Sequence, residues 1–102
     1  MMTKIITEFV KIEVLQTTTD EQLLVEADII NQFIQKQDGF IDAEIVKTME
    51  GNVWLFIYHI ENFEKLKTVG EKLRATKLFD EITPLIVPGS MSVSFYQQFK
   101  IW

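Results

Sequence analysis

The chain has 102 residues, 47% of them hydrophobic and 25% charged, with a net charge of −5 and no cysteine. That is one globular domain's length, and too short for a catalytic domain plus a regulatory one. Disulfides, thiolate catalysis and zinc–thiolate or iron–sulfur ligation are excluded, and ten scattered basic residues leave no electrostatic footprint for a phosphate backbone.

Residues from about Thr3 to Leu15 alternate as a first strand, with Ile6, Val10, Ile12 and Val14 as the apolar set. Thr18 or Thr19 then caps a helix beginning near Asp20, with Glu21 or Gln22 completing a capping box. Leu23, Ala27, Ile30 and Ile34 fall at helical spacing, and Gly39 is expected to stop the helix. Phe40 to Met49 reads as a second strand, Glu50-Gly51-Asn52 as a tight turn and Val53 to Ile60 as a third strand, so the two strands form a hairpin. Asn62 caps a second helix with Phe63, Leu66, Val69 and Leu73 on one face. A helical turn near Leu78, Phe79 and Ile82 ends at Thr83-Pro84, and Pro88-Gly89 turns into a last strand from about Met91 to Phe99.

The element order βαββαβ, with two crossovers of the usual hand around one hairpin, gives an α+β, ferredoxin-like domain over residues 1–102. It has a four-stranded antiparallel sheet with both helices on one face. The third strand is apolar on both of its faces. Val53, Leu55, Ile57 and His59 share one, which we assign to the helices. Trp54, Phe56, Tyr58 and Ile60 share the other, which we assign to the open side of the sheet. Leaving those four in water would cost roughly 1.5–3 kcal/mol each, so a second subunit or a ligand is expected to cover them.

The layout resembles the dimeric α+β barrel superfamily, which includes the antibiotic-biosynthesis monooxygenase-like proteins and small bacterial members without assigned function. The resemblance is carried by Ile6-Thr7-Glu8-Phe9-Val10-Lys11, Gly39-Phe40-Ile41, Trp54, Glu71-Lys72-Leu73 and Leu85-Ile86 followed by Pro88, Ser90 and Ser92. It implies a homodimer whose sheets face each other through their open faces as a barrel, around an apolar cavity that holds a small hydrophobic or aromatic molecule. Trp54, Phe56, Tyr58 and Phe95 are the ligand-binding candidates under that implication. The enzymatic form of this reading is a cofactor-independent monooxygenase. The alternative is a non-catalytic carrier or structural dimer with a filled barrel, which Phe56 and Phe95 favour by occupying cavity positions. The superfamily's haem-degrading members combine a Trp with an Asn on the first strand and a His on the second helix. Here the first strand has no Asn and the second helix no His.

Three residues are candidates for proton chemistry. Glu8, on a strand expected to be central, would have its pKa raised by burial. Tyr58 offers a hydroxyl to the same cavity. His59 is the single imidazole, expected near the strand's helix-facing end and more simply explained as structural. With one His and no Cys, no protein-held metal and no cofactor are expected. Asp42 and Glu44 share a face of the second strand, which is expected to be an edge strand, where charges discourage unwanted pairing. Displayed aromatics could in principle stack single-stranded RNA, but Val53 to Ile60 contains neither Lys nor Arg, so no nucleic acid is expected. No membrane-length apolar stretch and no signal-peptide pattern occur, since Lys4, Glu8 and Lys11 interrupt the N-terminal candidate; a cytoplasmic location is the expectation.

Overall fold

In the computed structural model, which describes residues 4–102, the chain folds as β1 (Ile6–Glu13), α1 (Asp20–Ile34), β2 (Phe40–Lys47), β3 (Val53–Ile60), α2 (Phe63–Thr76) and β4 (Ser92–Gln97). Thr3, the expected start of the first strand, lies outside the described residues. The four strands form one antiparallel sheet in the order β2-β3-β1-β4. Sequence order and spatial order differ because each helix carries the chain across a neighbouring strand, which places β1 and β3 in the centre.

Local chemistry sets the boundaries. Thr19 and Gln22 form a reciprocal capping box at the start of α1, with the Thr19 oxygen accepting from the Gln22 N–H at 3.1 Å and Gln22 Oε1 accepting from the Thr19 N–H at 2.8 Å. The Asn62 side chain accepts from the Lys65 N–H at 2.9 Å and starts α2. α1 ends at Ile34 rather than at Gly39, because the backbone turns through Gln35–Asp38 before reaching the glycine. Gly39 instead takes φ +92° immediately before β2, and a Cβ there would sit 2.7 Å from Lys65 Cδ. Glycine is therefore required twice over, by conformation and by space. α2 runs three residues past Leu73, and two short 3-10 turns follow, Leu78–Glu81 and Thr83–Leu85, with Pro84 inside the second.

The core lies between the sheet and the helices. Ile6, Val10 and Ile12 of β1 pack with Leu23 and Ile30 of α1, Leu66, Val69 and Leu73 of α2, and Trp54, Phe56, Tyr58 and Ile60 of β3. This corrects the face expected for β3. The aromatic set faces the helices, and Val53, Leu55, Ile57 and His59 occupy the open side, all of them partly exposed. The register supplies the reason. Lys11 pairs with Leu55, Thr7 with His59 and Glu13 with Val53, so the polar side chains of β1 fix that face outward, while Val10 opposite Phe56 and Ile12 opposite Trp54 fix the other inward.

The open face is nevertheless not an ordinary solvated surface. Phe9, Leu55 and Tyr96 meet around a shallow hollow of about 360 Å³, with the Phe9 and Tyr96 rings in an edge-to-face contact at 5.5 Å. Ile57 and Val46 extend the apolar strip, and the charges Asp42, Glu44 and Lys11 surround it.

Candidate functional site

The helices cover β2, β3 and β1 and leave the inner side of β4 half-open: Val93 and Phe95 remain exposed although they point to the helix side. Beneath this gap lies a cavity of about 460 Å³ between the sheet and α2. Val10, Tyr58 and Ile60 form its floor, Leu66, Val69 and Leu73 its roof, and Met91, Val93 and Phe95 its open side. Phe63, at the first residue of α2, closes one corner by an edge-to-face contact with Phe95 at 5.8 Å. A smaller lobe of about 160 Å³ continues toward solvent and shares Glu8, Leu66, Gly70, Arg74 and Phe95 with the main cavity.

Glu8 is the one carboxylate that β1 turns to this side, and it takes part in no ion pair among the described residues. Its register partners are Tyr58 on β3 and Phe95 on β4. Burial raises its pKa above the ordinary carboxylate value, because the apolar surroundings disfavour the charge and no cation compensates. Desolvation, reinforced by the negative charge of Glu8, also pushes the Tyr58 hydroxyl well up, so it keeps its proton throughout the ordinary pH range. The cavity thus offers a proton acceptor beside a hydroxyl donor on an otherwise apolar floor.

The sequence candidates separate in space. Glu8, Tyr58 and Phe95 line the cavity together. Phe56 is buried beside Tyr58, with ring centroids 6.5 Å apart, but borders a different hollow of about 110 Å³ between α1 and β2. Trp54 lies farther along β3 in the core, with the Lys47 ammonium 5.4 Å from its ring, and borders neither space. His59 stands on the opposite side of the sheet, where Nδ1 lies 2.6 Å from Asp42 Oδ1. It is therefore remote from the cavity, contrary to its expected helix-facing position. Asp42 and Glu44 are exposed on edge strand β2, as their spacing suggested.

Two cavity residues were missed by sequence reasoning. Gly70 lies in the middle of the 14-residue α2, where glycine costs about 1 kcal/mol relative to alanine. Arg74, one turn later, brings Nη1 to within 3.4 Å of where a Gly70 Cβ would stand. A glycine inside an otherwise regular helix was the available signal. Arg74 and Glu8 carry opposite charges on one cavity wall system without forming an ion pair.

Among the described residues no group of three or more His, Asp or Glu side chains could hold a metal ion, and no helix is long and apolar enough to cross a membrane. No family model and no curated protein matches the chain. Solved structures do. SnoaB, a cofactor-independent oxygenase from Streptomyces nogalater, superposes with a TM-score of 0.80 over 96% of each chain at 9% identity. Rv0793 from Mycobacterium tuberculosis gives 0.79 over 95% of this chain and 97% of its own at 8% identity. A conserved protein of Bacteroides thetaiotaomicron gives 0.76 over 93% and 98% at 17% identity. At these identities the likeness is one of fold, and it extends over nearly the whole chain.

Proposed function

From the fold of the antibiotic-biosynthesis monooxygenase-like proteins, within the dimeric α+β barrel superfamily, we propose that this chain binds a small hydrophobic or aromatic molecule in the cavity between its sheet and α2. The observation that carries the proposal is the unpaired Glu8 carboxylate beside the Tyr58 hydroxyl in a 460 Å³ apolar space. Such a space accommodates a molecule of two or three fused rings, and apolar cavities with few polar groups are the usual form of a small-molecule site. The polar pair orients the ligand: Glu8 accepts from an acidic O–H or N–H, and Tyr58 donates to an oxygen.

The enzymatic form of this reading is a cofactor-independent oxygenation. Glu8, with its raised pKa, takes the proton of a weakly acidic substrate, and the resulting electron-rich anion supplies electrons to dioxygen. The protein's part is positioning and adjustment of ionisation. SnoaB supports the reading by showing that this fold accommodates a cofactor-independent oxygenase. The non-catalytic form, a ligand carrier, uses the same cavity without the oxygen step.

The chain is further proposed to work as a homodimer through the open sheet face. Phe9, Leu55, Ile57 and Tyr96 form an apolar strip there that a second sheet would cover.

The test is calorimetric titration with 2-naphthol and naphthalene, accompanied by dioxygen consumption. Naphthol binding that weakens in Glu8→Gln supports the site, and oxygen uptake with naphthol supports the oxygenase form. Binding of neither compound to the dimer would overturn this reading in favour of a packed, structural cavity.

A further inference from the structure

The small lobe outside the main cavity differs in chemistry from the apolar space behind it. In this lobe of about 160 Å³, α2 contributes Lys67, Gly70, Glu71 and Arg74, and Phe63 and Phe95 supply an aromatic side. Positions 67, 70, 71 and 74 recur at three- and four-residue spacing, so they form one stripe of the helix. Lys67 and Arg74 are thus two cations displayed at the mouth of a cavity, on a chain whose net charge is −5.

Neither cation is neutralised by its neighbours. Among the described residues, Lys67, Glu71 and Arg74 take part in no ion pair. Lys67 precedes Glu71 by four residues, the weaker of the two orders for a helical ion pair. Arg74 turns back along the helix instead, and its Nη1 lies within 3.4 Å of where a Gly70 Cβ would stand. Glycine leaves the guanidinium a bare strip of helix to lie on, and from there Arg74 borders both the lobe and the main cavity. The mouth therefore carries an unpaired planar fork of N–H donors beside an aromatic wall, next to a floor that holds the Glu8 carboxylate and the Tyr58 hydroxyl.

We propose that the lobe is a carboxylate subsite and that the ligand of the cavity is a hydroxylated aromatic acid. Its rings fill the main space, its hydroxyl meets Glu8 and Tyr58, and its carboxylate pairs with Arg74, with Lys67 adding positive charge. The inference deepens the proposed small-molecule site and rests on it. A guanidinium binds a carboxylate through two parallel N–H donors, which fixes the plane of the group as well as its charge. Glu8 and Glu71 border the lobe too and repel an anion placed away from the guanidinium. Hydroxyl and carboxylate therefore belong at opposite ends of the ring system, as in 6-hydroxy-2-naphthoate.

The test is calorimetric titration at neutral pH and low salt with 2-naphthol, 6-hydroxy-2-naphthoate and the methyl ester of that acid. The acid is expected to bind about tenfold tighter than naphthol, and Arg74→Gln to erase the advantage so that the two bind alike. Arg74→Lys, which keeps the charge without the fork, should retain part of it. Arg74 is exposed, and glutamine and lysine are comparable helix formers, so both variants keep the fold. An ester that binds as tightly as the acid overturns the subsite, because the gain is then apolar contact. So does an Arg74→Gln protein that loses acid and naphthol by the same factor, or a parent that binds naphthol and the acid no tighter. Each of those results leaves the cavity standing, whereas a parent that binds none of the three removes cavity and subsite together. Acid binding that Arg74→Gln abolishes upholds the subsite whether or not naphthol binds.

Discussion

Glu8 on β1 and Tyr58 on β3 are direct cross-strand partners, and both side chains rise from the sheet into the same cavity. The influence runs one way: burial alone elevates Glu8, whereas the Glu8 charge adds to the desolvation that elevates Tyr58.

Glu8 makes the stability of the domain pH-dependent in a defined direction. Its folded pKa lies above the ordinary glutamate value of 4.5, so the unfolded chain releases this proton first as pH rises. Stability from this group is complete below about pH 4.5, falls as pH rises through the elevated folded value, and then levels off. Glu8→Gln removes the effect. The variant is expected to match the parent near pH 4 and exceed it at pH 7, by about 1.4 kcal/mol per unit of elevation before any allowance for solvent reaching the half-buried group. Urea unfolding at the two pH values measures this, and equal differences at both would refute it.

The order of the six elements was legible because each boundary has a local chemical cause: Thr19 and Gln22 at one helix, Asn62 at the other, Gly51 in the hairpin. Which face of β3 meets the helices was not. Val53–Ile60 is apolar at every second position in both phases, so alternation sorts its side chains into two sets without saying which is covered. The missing information is the pairing of β3 with β1, which carries Thr7, Lys11 and Glu13 on one face. That pairing is a long-range fact, joining strands separated by the 39 residues 14–52. The cavity shared the same fate. Glu8, Tyr58 and Phe95 come together only through β1's two registers, whereas Trp54 and Phe56, more conspicuous in the sequence, are core.

Trp54 is accordingly expected to matter for stability rather than for ligand. Trp54→Ala removes a side chain packed against Ile12's strand and the Lys47 ammonium, and should cost about 3–5 kcal/mol. Trp54→Phe keeps most of the volume and should bind naphthol as the parent does. A large loss of binding in a folded Trp54→Phe protein would show that the cavity extends to this residue.

The open face carries its own prediction. Leu55 lies opposite Lys11 at the centre of the apolar strip, and Glu there would place a charge in the proposed interface. Leu55→Glu should leave the circular dichroism spectrum intact and convert the proposed dimer to monomer in sedimentation equilibrium. A dimer of undiminished affinity would mean that the chains pair through another surface.

Gly70 separates what the fold prefers from what the site needs. In a helix interior Gly70→Ala should stabilise by about 0.5–1 kcal/mol, since a Cβ there meets only the flexible end of Arg74 at 3.4 Å. Gly70→Leu adds branched volume to the passage shared by the two cavity lobes, where Glu8, Leu66 and Arg74 also converge. It is expected to keep helix content and thermal stability while slowing naphthol association, because the only change is at the entrance and the floor is untouched. If association were unaffected in Gly70→Leu, ligand would have to enter along the exposed Val93–Phe95 side of β4, and the glycine in α2 would answer to Arg74 alone.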